Sequence, residues 1–107
     1  MSDGAAEDCP DSAPPASGAL VRELQIVNKK GLHARASAKF VQTVEKFDAD
    51  VTVTRCGETV GGRSIMGLLT LGAAQGTSVF VTAQGEDAPA CLAALETLLA
   101  NRFGEEE

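Results

Sequence analysis

Residues 33–47 read HARASAKFVQTVEKF, and this stretch has the clearest periodic pattern in the chain. Apolar side chains recur in this stretch at steps of three and four residues, with charged and polar side chains between them. Because an α-helix has about 3.6 residues per turn, this spacing gathers the apolar side chains on one face. The stretch predicts an amphipathic helix from about His33 to Phe47, and its predicted core face consists of Ala36, Phe40, Val41, Val44 and Phe47.

On both sides of this helix the sequence alternates between apolar and polar residues, which is typical of half-buried strands. Leu20–Val27 shows the pattern before the helix, and Thr77–Ala83 shows it later in the chain. Between them, Asp50–Arg55 and Glu58–Gly61 are separated by two residues, which is short enough to close a hairpin. We therefore expect four strands.

Two further helices complete the predicted order. Ser64 precedes the apolar run Ile65–Leu71, and serine is a frequent N-cap. A last helix follows residues 85–87 and stops at Gly104. Its apolar stripe is Cys91, Leu92, Leu95, Leu98, Leu99 and Phe103. The order βαββαβα predicts an α+β sandwich, with a four-stranded, mainly antiparallel sheet and three helices on one face.

Length and charge divide the chain into a domain and two tails. The 107 residues suit one domain. Residues 1–19 are rich in Pro, Ala, Ser and acids and predict a disordered acidic tail, residues 20–104 form the domain, and residues 105–107 are an acidic tail. The net charge is −6, but residues 20–104 carry nine Lys and Arg against eight Asp and Glu. This near-neutral body has no Trp or Tyr, so we do not expect nucleic-acid binding.

The cysteine spacing and the length of the apolar runs argue against several classes of protein. Cys9, Cys56 and Cys91 show no paired spacing, which argues against a zinc site and against a disulfide framework. We expect no metal and no other cofactor. The sequence shows neither a secretion signal pattern nor a run of about 18 apolar residues. It therefore predicts a cytoplasmic monomer that does not associate with a membrane.

His33, the only histidine, lies where the first helix is predicted to begin. Lys29, Lys30, Arg35 and Lys39 surround it in sequence, with no acid among them. The first N–H groups of a helix have no partner within it and carry partial positive charge, so they attract phosphate. A neutral imidazole at that place offers a nucleophilic nitrogen. The pattern indicates that His33 accepts a phosphoryl group while Arg35 neutralises the phosphate oxygens.

A second interpretation stays open on these residues alone. A histidine at a helix start is more often a surface or capping residue, and a small regulatory module could use His33 to bind an anion without forming a covalent bond. Only a carrier would form an acid-labile phosphohistidine. Ser64 is similarly ambiguous, because N-capping by itself explains a serine before a short helix.

Two segments carry a family resemblance. Residues 31–37, GLHARAS, strongly resemble the active-site segment of HPr, the histidine phosphocarrier family of the phosphoenolpyruvate-dependent phosphotransferase system. Residues 62–68, GRSIMGL, resemble that family's regulatory-serine region. The resemblance spans residues 20–103 and implies an HPr-like open-faced β-sandwich. Ala36 stands where many members have proline, a variant similar to the HPr and NPr proteins of the proteobacterial nitrogen-related branch.

The resemblance implies a role for each residue. His33 would take a phosphoryl group from phospho-enzyme I on the ring nitrogen nearer the backbone, stabilised by Arg35, and pass it to an enzyme IIA component. The chain would then be a carrier and not a stand-alone catalyst, serving either sugar uptake or nitrogen regulation. Ser64 would be the target of an HPr kinase/phosphorylase. The helix after Ser64 is too short to bury every apolar side chain, so we expect a partner-docking patch at Ile65, Met66 and Leu69.

Overall fold

The computed structural model describes residues 19–104, so the predicted disorder of residues 1–18 and the acidic tail at 105–107 lie outside the described residues. The elements follow the predicted order. They are β1 (Leu20–Gln25), α1 (Ala34–Val44), β2 (Asp50–Arg55), β3 (Glu58–Gly61), α2 (Ile65–Thr70), β4 (Ser78–Gln84), α3 (Ala88–Ala100) and a 3-10 turn (Arg102–Gly104).

The four strands form one antiparallel sheet in the order β1-β4-β2-β3. The hairpin closes with Arg55 opposite Glu58, as the two-residue spacing predicted. Strand β4 lies between β1 and β2, with Val81 paired to Arg22 on one side and to Val53 on the other. The predicted α+β fold with an open, four-stranded antiparallel sheet and three helices is confirmed.

The core lies between one face of the sheet and the helices. Alternate residues of the two central strands point into it, because successive side chains in a strand face opposite ways. The helices contribute side chains spaced by three and four residues, as amphipathic helices do. The buried sheet residues include Val51, Val53, Val79, Val81 and Ala83, and the buried helix residues include Ala36, Phe40, Val44, Leu68, Leu92 and Leu95.

Helix α1 ends three residues before the predicted boundary. It stops at Val44, and Glu45 caps it. Phe47 lies in the following turn, where its backbone N–H donates to the carbonyl of Val44 at 3.1 Å. Its side chain is only partly buried against the core. The apolar periodicity thus extends past the helix, because a residue in the next turn can still pack on the same core.

Phe103 departs from the prediction in a similar way. It is buried, at 1% exposed, but it is not on the stripe of α3, which ends at Ala100. Arg102 and Phe103 both adopt positive φ, so the chain turns back on itself and inserts the ring from a turn. The Lys39 ammonium donates to the Phe103 carbonyl at 2.6 Å and holds this turn against α1.

The cysteines differ from one another. Cys91 is a free, buried thiol on α3, and burial raises its pKa. Cys56 lies at the exposed tip of the hairpin and is disulfide-bonded. A single bonded cysteine does not make a disulfide framework, and Cys91 is buried in the core, as its place on the apolar stripe of the last helix predicted.

Candidate functional site

The loop between β1 and α1 carries His33 and is anchored by a buried asparagine. Asn28 is 0% exposed, and its side-chain amide donates to the carbonyl of Gly31 at 2.8 Å. The backbone N–H of Gly31 in turn donates to the Asn28 carbonyl at 3.2 Å. These two hydrogen bonds close a tight turn over residues 28–31.

Gly31 is required at this turn for two reasons. Its φ is +68°, a left-handed conformation that side chains with a Cβ disfavour. A Cβ would also lie well inside van der Waals contact of the Ala73 carbonyl oxygen. The next residue, Leu32, donates its backbone N–H to that same oxygen at 2.9 Å. The loop therefore packs in direct contact with the segment that follows α2.

His33 is the N-cap of α1, as its position in the sequence predicted. Its backbone is extended, with φ −80° and ψ −175°, and its carbonyl accepts from the N–H of Ser37 at 2.8 Å. No side-chain hydrogen bond caps the helix. Because a helix offers its first N–H groups no internal acceptor, the amides at the start of α1 are directed towards the space beside His33. The half-buried imidazole thus lies at the positive end of a helix dipole.

The basic residues near His33 differ in their exposure and in their hydrogen-bond partners. Arg35, in the first turn of α1, is exposed, and so are Lys29 and Lys30 in the loop. The Lys39 ammonium instead donates a hydrogen bond to the Phe103 carbonyl. Arg35 is therefore an exposed cation within the first turn of the helix that His33 caps.

Ser64 is the N-cap of α2, and its hydroxyl accepts from the N–H of Gly67 at 3.0 Å. The capping function predicted for Ser64 is confirmed. Among the residues that follow, Leu68 is buried, whereas Ile65 is 39% and Met66 69% exposed. Leu69 is half-buried. The expected incomplete burial of this helix is confirmed, and it leaves an apolar patch at Ile65, Met66 and Leu69.

The patch and the histidine loop belong to one layer of the structure. Helices α1 and α2 pack against each other. The C-terminal end of α2 leads within a few residues to Ala73, which binds the loop before His33. Arg55 of the hairpin donates to the carbonyl of Leu71 at 3.1 Å and fixes the end of α2. The segment that follows α2 is therefore in direct contact with the loop that carries His33.

Two contributors to the site were missed from the sequence. The sequence pattern singles out neither Asn28 nor Ala73. Asparagine is common in turns, but its complete burial depends on packing that local sequence does not report. Contacts of Ala73 with residues about forty positions earlier in the chain leave no periodic signal.

Within residues 19–104, no three His, Cys, Asp or Glu side chains are grouped so that they could hold a metal ion. No helix in that range has both the length and the apolar character needed to cross a bilayer.

Residues 20–101 match the family described as PTS HPr component phosphorylation site. The chain is 47% identical over 87 residues to the phosphocarrier protein HPr of Xylella fastidiosa (strain Temecula1), covering 81% of this chain and 98% of that protein. It is 46% identical over 88 residues to HPr of Neisseria meningitidis serogroup A, covering 82% and 99%. A crystal structure of HPr from Thermoanaerobacter tengcongensis superposes with a TM-score of 0.78 at 41% identity, covering 82% of this chain and 99% of the other.

These matches define a class of small phosphoryl carriers built on an open-faced sheet. The chain belongs to the HPr family, the phosphocarriers of the phosphotransferase system. It also matches 18% of the multiphosphoryl transfer protein of Haemophilus influenzae, at 41% identity over 91 residues. An HPr unit therefore also occurs within a longer phosphoryl-transfer chain.

Proposed function

We propose that His33 accepts a phosphoryl group from phospho-enzyme I and passes it to an enzyme IIA component. The observation that carries the proposal is the position of His33 as the N-cap of α1, at the positive end of the helix. Arg35, exposed in the first turn of the helix, supplies a full positive charge. Membership of the HPr family supports phosphoryl transfer over simple anion binding.

In the proposed step, the ring nitrogen nearer the backbone, Nδ1, attacks the phosphorus atom of the donor. A nitrogen–phosphorus bond forms, and the bond from phosphorus to the donor breaks with its electron pair leaving on the donor. Negative charge on the transferred oxygens is met by the first amides of α1 and by the Arg35 guanidinium. The reverse attack by an enzyme IIA nucleophile releases His33 for another cycle.

The remaining roles follow from the same reaction. Ile65, Met66 and Leu69 form the docking patch for enzyme I and the enzyme IIA component. A phosphate on Ser64, added by an HPr kinase/phosphorylase, would place negative charge beside that patch and weaken docking. The carrier works as a cytoplasmic monomer, because a patch shared by successive partners must be open between encounters.

Phosphorylation by enzyme I and phosphoenolpyruvate, followed by intact-mass measurement, tests this proposal. Wild type should gain one phosphoryl group that is lost in mild acid, and His33→Ala should gain none while keeping the wild-type circular dichroism spectrum. Undiminished labelling of His33→Ala would overturn the assignment. Reversible phosphate binding with no mass increase would instead favour the anion-binding module.

A further inference from the structure

We propose that Asn28 is a positioning residue for phosphoryl transfer at His33. Its side chain fixes the peptide unit that precedes Leu32 and so sets the direction in which His33 enters α1. The inference rests on the proposed function, because it concerns the rate at which His33 accepts the phosphoryl group.

The peptide unit between Gly31 and Leu32 is held at both ends. Its carbonyl oxygen accepts from the Asn28 side-chain amide at 2.8 Å. Its N–H, which belongs to Leu32, donates to the Ala73 carbonyl at 2.9 Å. A peptide unit is planar, so two hydrogen bonds on opposite sides leave little freedom for rotation.

The same Gly31 carbonyl also accepts from the backbone N–H of His33 at 2.9 Å. Asn28 and His33 therefore share one acceptor, and the Asn28 amide fixes the oxygen that orients the His33 backbone. Glycine at position 31 supplies no side chain to resist rotation, and its left-handed φ of +68° is open to change once the clamp is lost. Asn28 is thus the side chain that restrains this turn.

Water cannot readily take over the role of the Asn28 amide. Asn28 is 0% exposed, so its amide and the bond that it makes are shielded from solvent. Removal of the amide leaves a buried carbonyl with one donor fewer, and the loop relaxes to recover it. Small displacements of a reacting group lower transfer rates steeply even when binding is unchanged.

The test compares Asn28→Asp, Asn28→Ala and Thr54→Val as substrates of enzyme I. Asn28→Asp keeps the shape and lacks the amide donor. Thr54→Val is the matched control. Thr54 is also buried, at 4% exposed, and its hydroxyl shares a hydrogen bond of 2.8 Å with Thr59 on the sheet, which the substitution removes. We expect kcat to fall about tenfold in both Asn28 variants, with KM within about twofold of wild type, and Thr54→Val to keep both constants.

All rates are measured below the melting temperature of each variant, and exchange of the His33 amide proton is followed by NMR. Faster exchange of that proton in Asn28→Asp, relative to core amides, supports the clamp even where turnover is poor. Wild-type kcat in the folded Asn28 variants would overturn the proposal, as would an equal loss in Thr54→Val. Failure of the proposed function is distinguishable, because either His33→Ala would still be labelled or the wild type would gain no phosphoryl group.

Discussion

The backbone N–H of Leu32 donates to the carbonyl oxygen of Ala73 at 2.9 Å, which joins the loop carrying His33 to the segment after α2. A second link lies close by, where the Gln75 side-chain amide donates to the Val27 carbonyl at 3.2 Å. The loop that carries His33 and the segment after the proposed docking helix are therefore joined by hydrogen bonds. Changes on either side of this junction should affect both.

Gly31→Ala tests the junction directly. The added methyl would collide with the Ala73 carbonyl, and alanine disfavours the φ of +68°. We expect the free energy of unfolding to fall by about 2–4 kcal/mol, which combines backbone strain with a displaced loop. Urea denaturation measures that loss, and phosphoryl acceptance by the folded fraction should also slow.

Gly72→Ala is the control for this prediction. Gly72 has a φ of +63°, close to that of Gly31, but a Cβ there would meet nothing within 4 Å. It should therefore show only the backbone cost of about 1 kcal/mol. Equal destabilisation by the two substitutions would mean that contact with Ala73 is unimportant.

Local sequence patterns were sufficient for most of the fold. The bounds of β2 and β3 follow from alternation and a two-residue turn, and the order of all elements follows from periodicity. Local patterns predicted that Phe103 is buried, but they did not predict the turn conformation from which its ring enters the core. Positive φ at two successive non-glycine residues is opposed by local preference. Here tertiary packing of the ring and the Lys39 hydrogen bond outweigh that preference.

The residues of the candidate site also differ in whether local sequence patterns can predict them. His33 and Ser64 could be selected from the sequence because each stands at a helix start, where capping and anion binding have local signatures. Asn28 and Ala73 could not, because their roles exist only once distant segments have packed. The residues proposed to react can be selected from the sequence, whereas the residues that hold their loops in place require the structure.

Arg35→Ala should slow phosphoryl acceptance about tenfold or more without abolishing it. The guanidinium neutralises the transferred oxygens, but the amides at the start of α1 still bind them. Arg35→Lys should recover part of the rate, since lysine keeps the charge and loses the forked geometry. Rapid-quench measurement with phospho-enzyme I gives the rates. Transfer by Arg35→Ala at the wild-type rate would make Arg35 a solvated charge with no role.

Ile65→Ser should raise the KM for enzyme I about threefold to tenfold and leave kcat nearly unchanged. The substitution removes apolar area from the proposed docking patch and does not touch His33. Leu20→Ser is a matched control, because Leu20 is 37% exposed and Ile65 is 39% exposed. Leu20 lies at the start of β1 and should leave KM unaltered. A similar rise in KM for both variants would argue against a specific patch.

The buried thiol of Cys91 predicts a dependence of stability on alkaline pH. Burial raises its pKa above the ordinary value of 9.0, an effect that Arg63 partly opposes and Asp87 adds to. As the pH rises past 9.0 the unfolded chain loses the thiol proton while the folded chain retains it, so the free energy of unfolding falls with pH. Urea midpoints of wild type and Cys91→Ala at about pH 7.5 and about pH 9.5 measure this. A stability difference between the two that does not shrink at the higher pH contradicts the prediction.

Ser64→Asp should weaken acceptance from enzyme I more than Ser64→Ala does. Both substitutions remove the hydroxyl that accepts from the Gly67 N–H at 3.0 Å, but aspartate can replace it as an N-cap. Ser64→Ala should lose about 1 kcal/mol of unfolding free energy, and Ser64→Asp less. Loss of stability therefore cannot explain a larger functional defect in the aspartate variant.

The negative charge of Ser64→Asp lies next to Ile65 and Met66, which remain exposed for docking. If enzyme I presents an acidic surface to the basic region around His33, that charge reduces the encounter rate, and added salt screens it. The KM for enzyme I, measured for both variants at low and high ionic strength, should differ severalfold in low salt and converge in high salt. Equal KM values in low salt would leave Ser64 with a capping role alone, because charge at the start of α2 would then have no effect on docking.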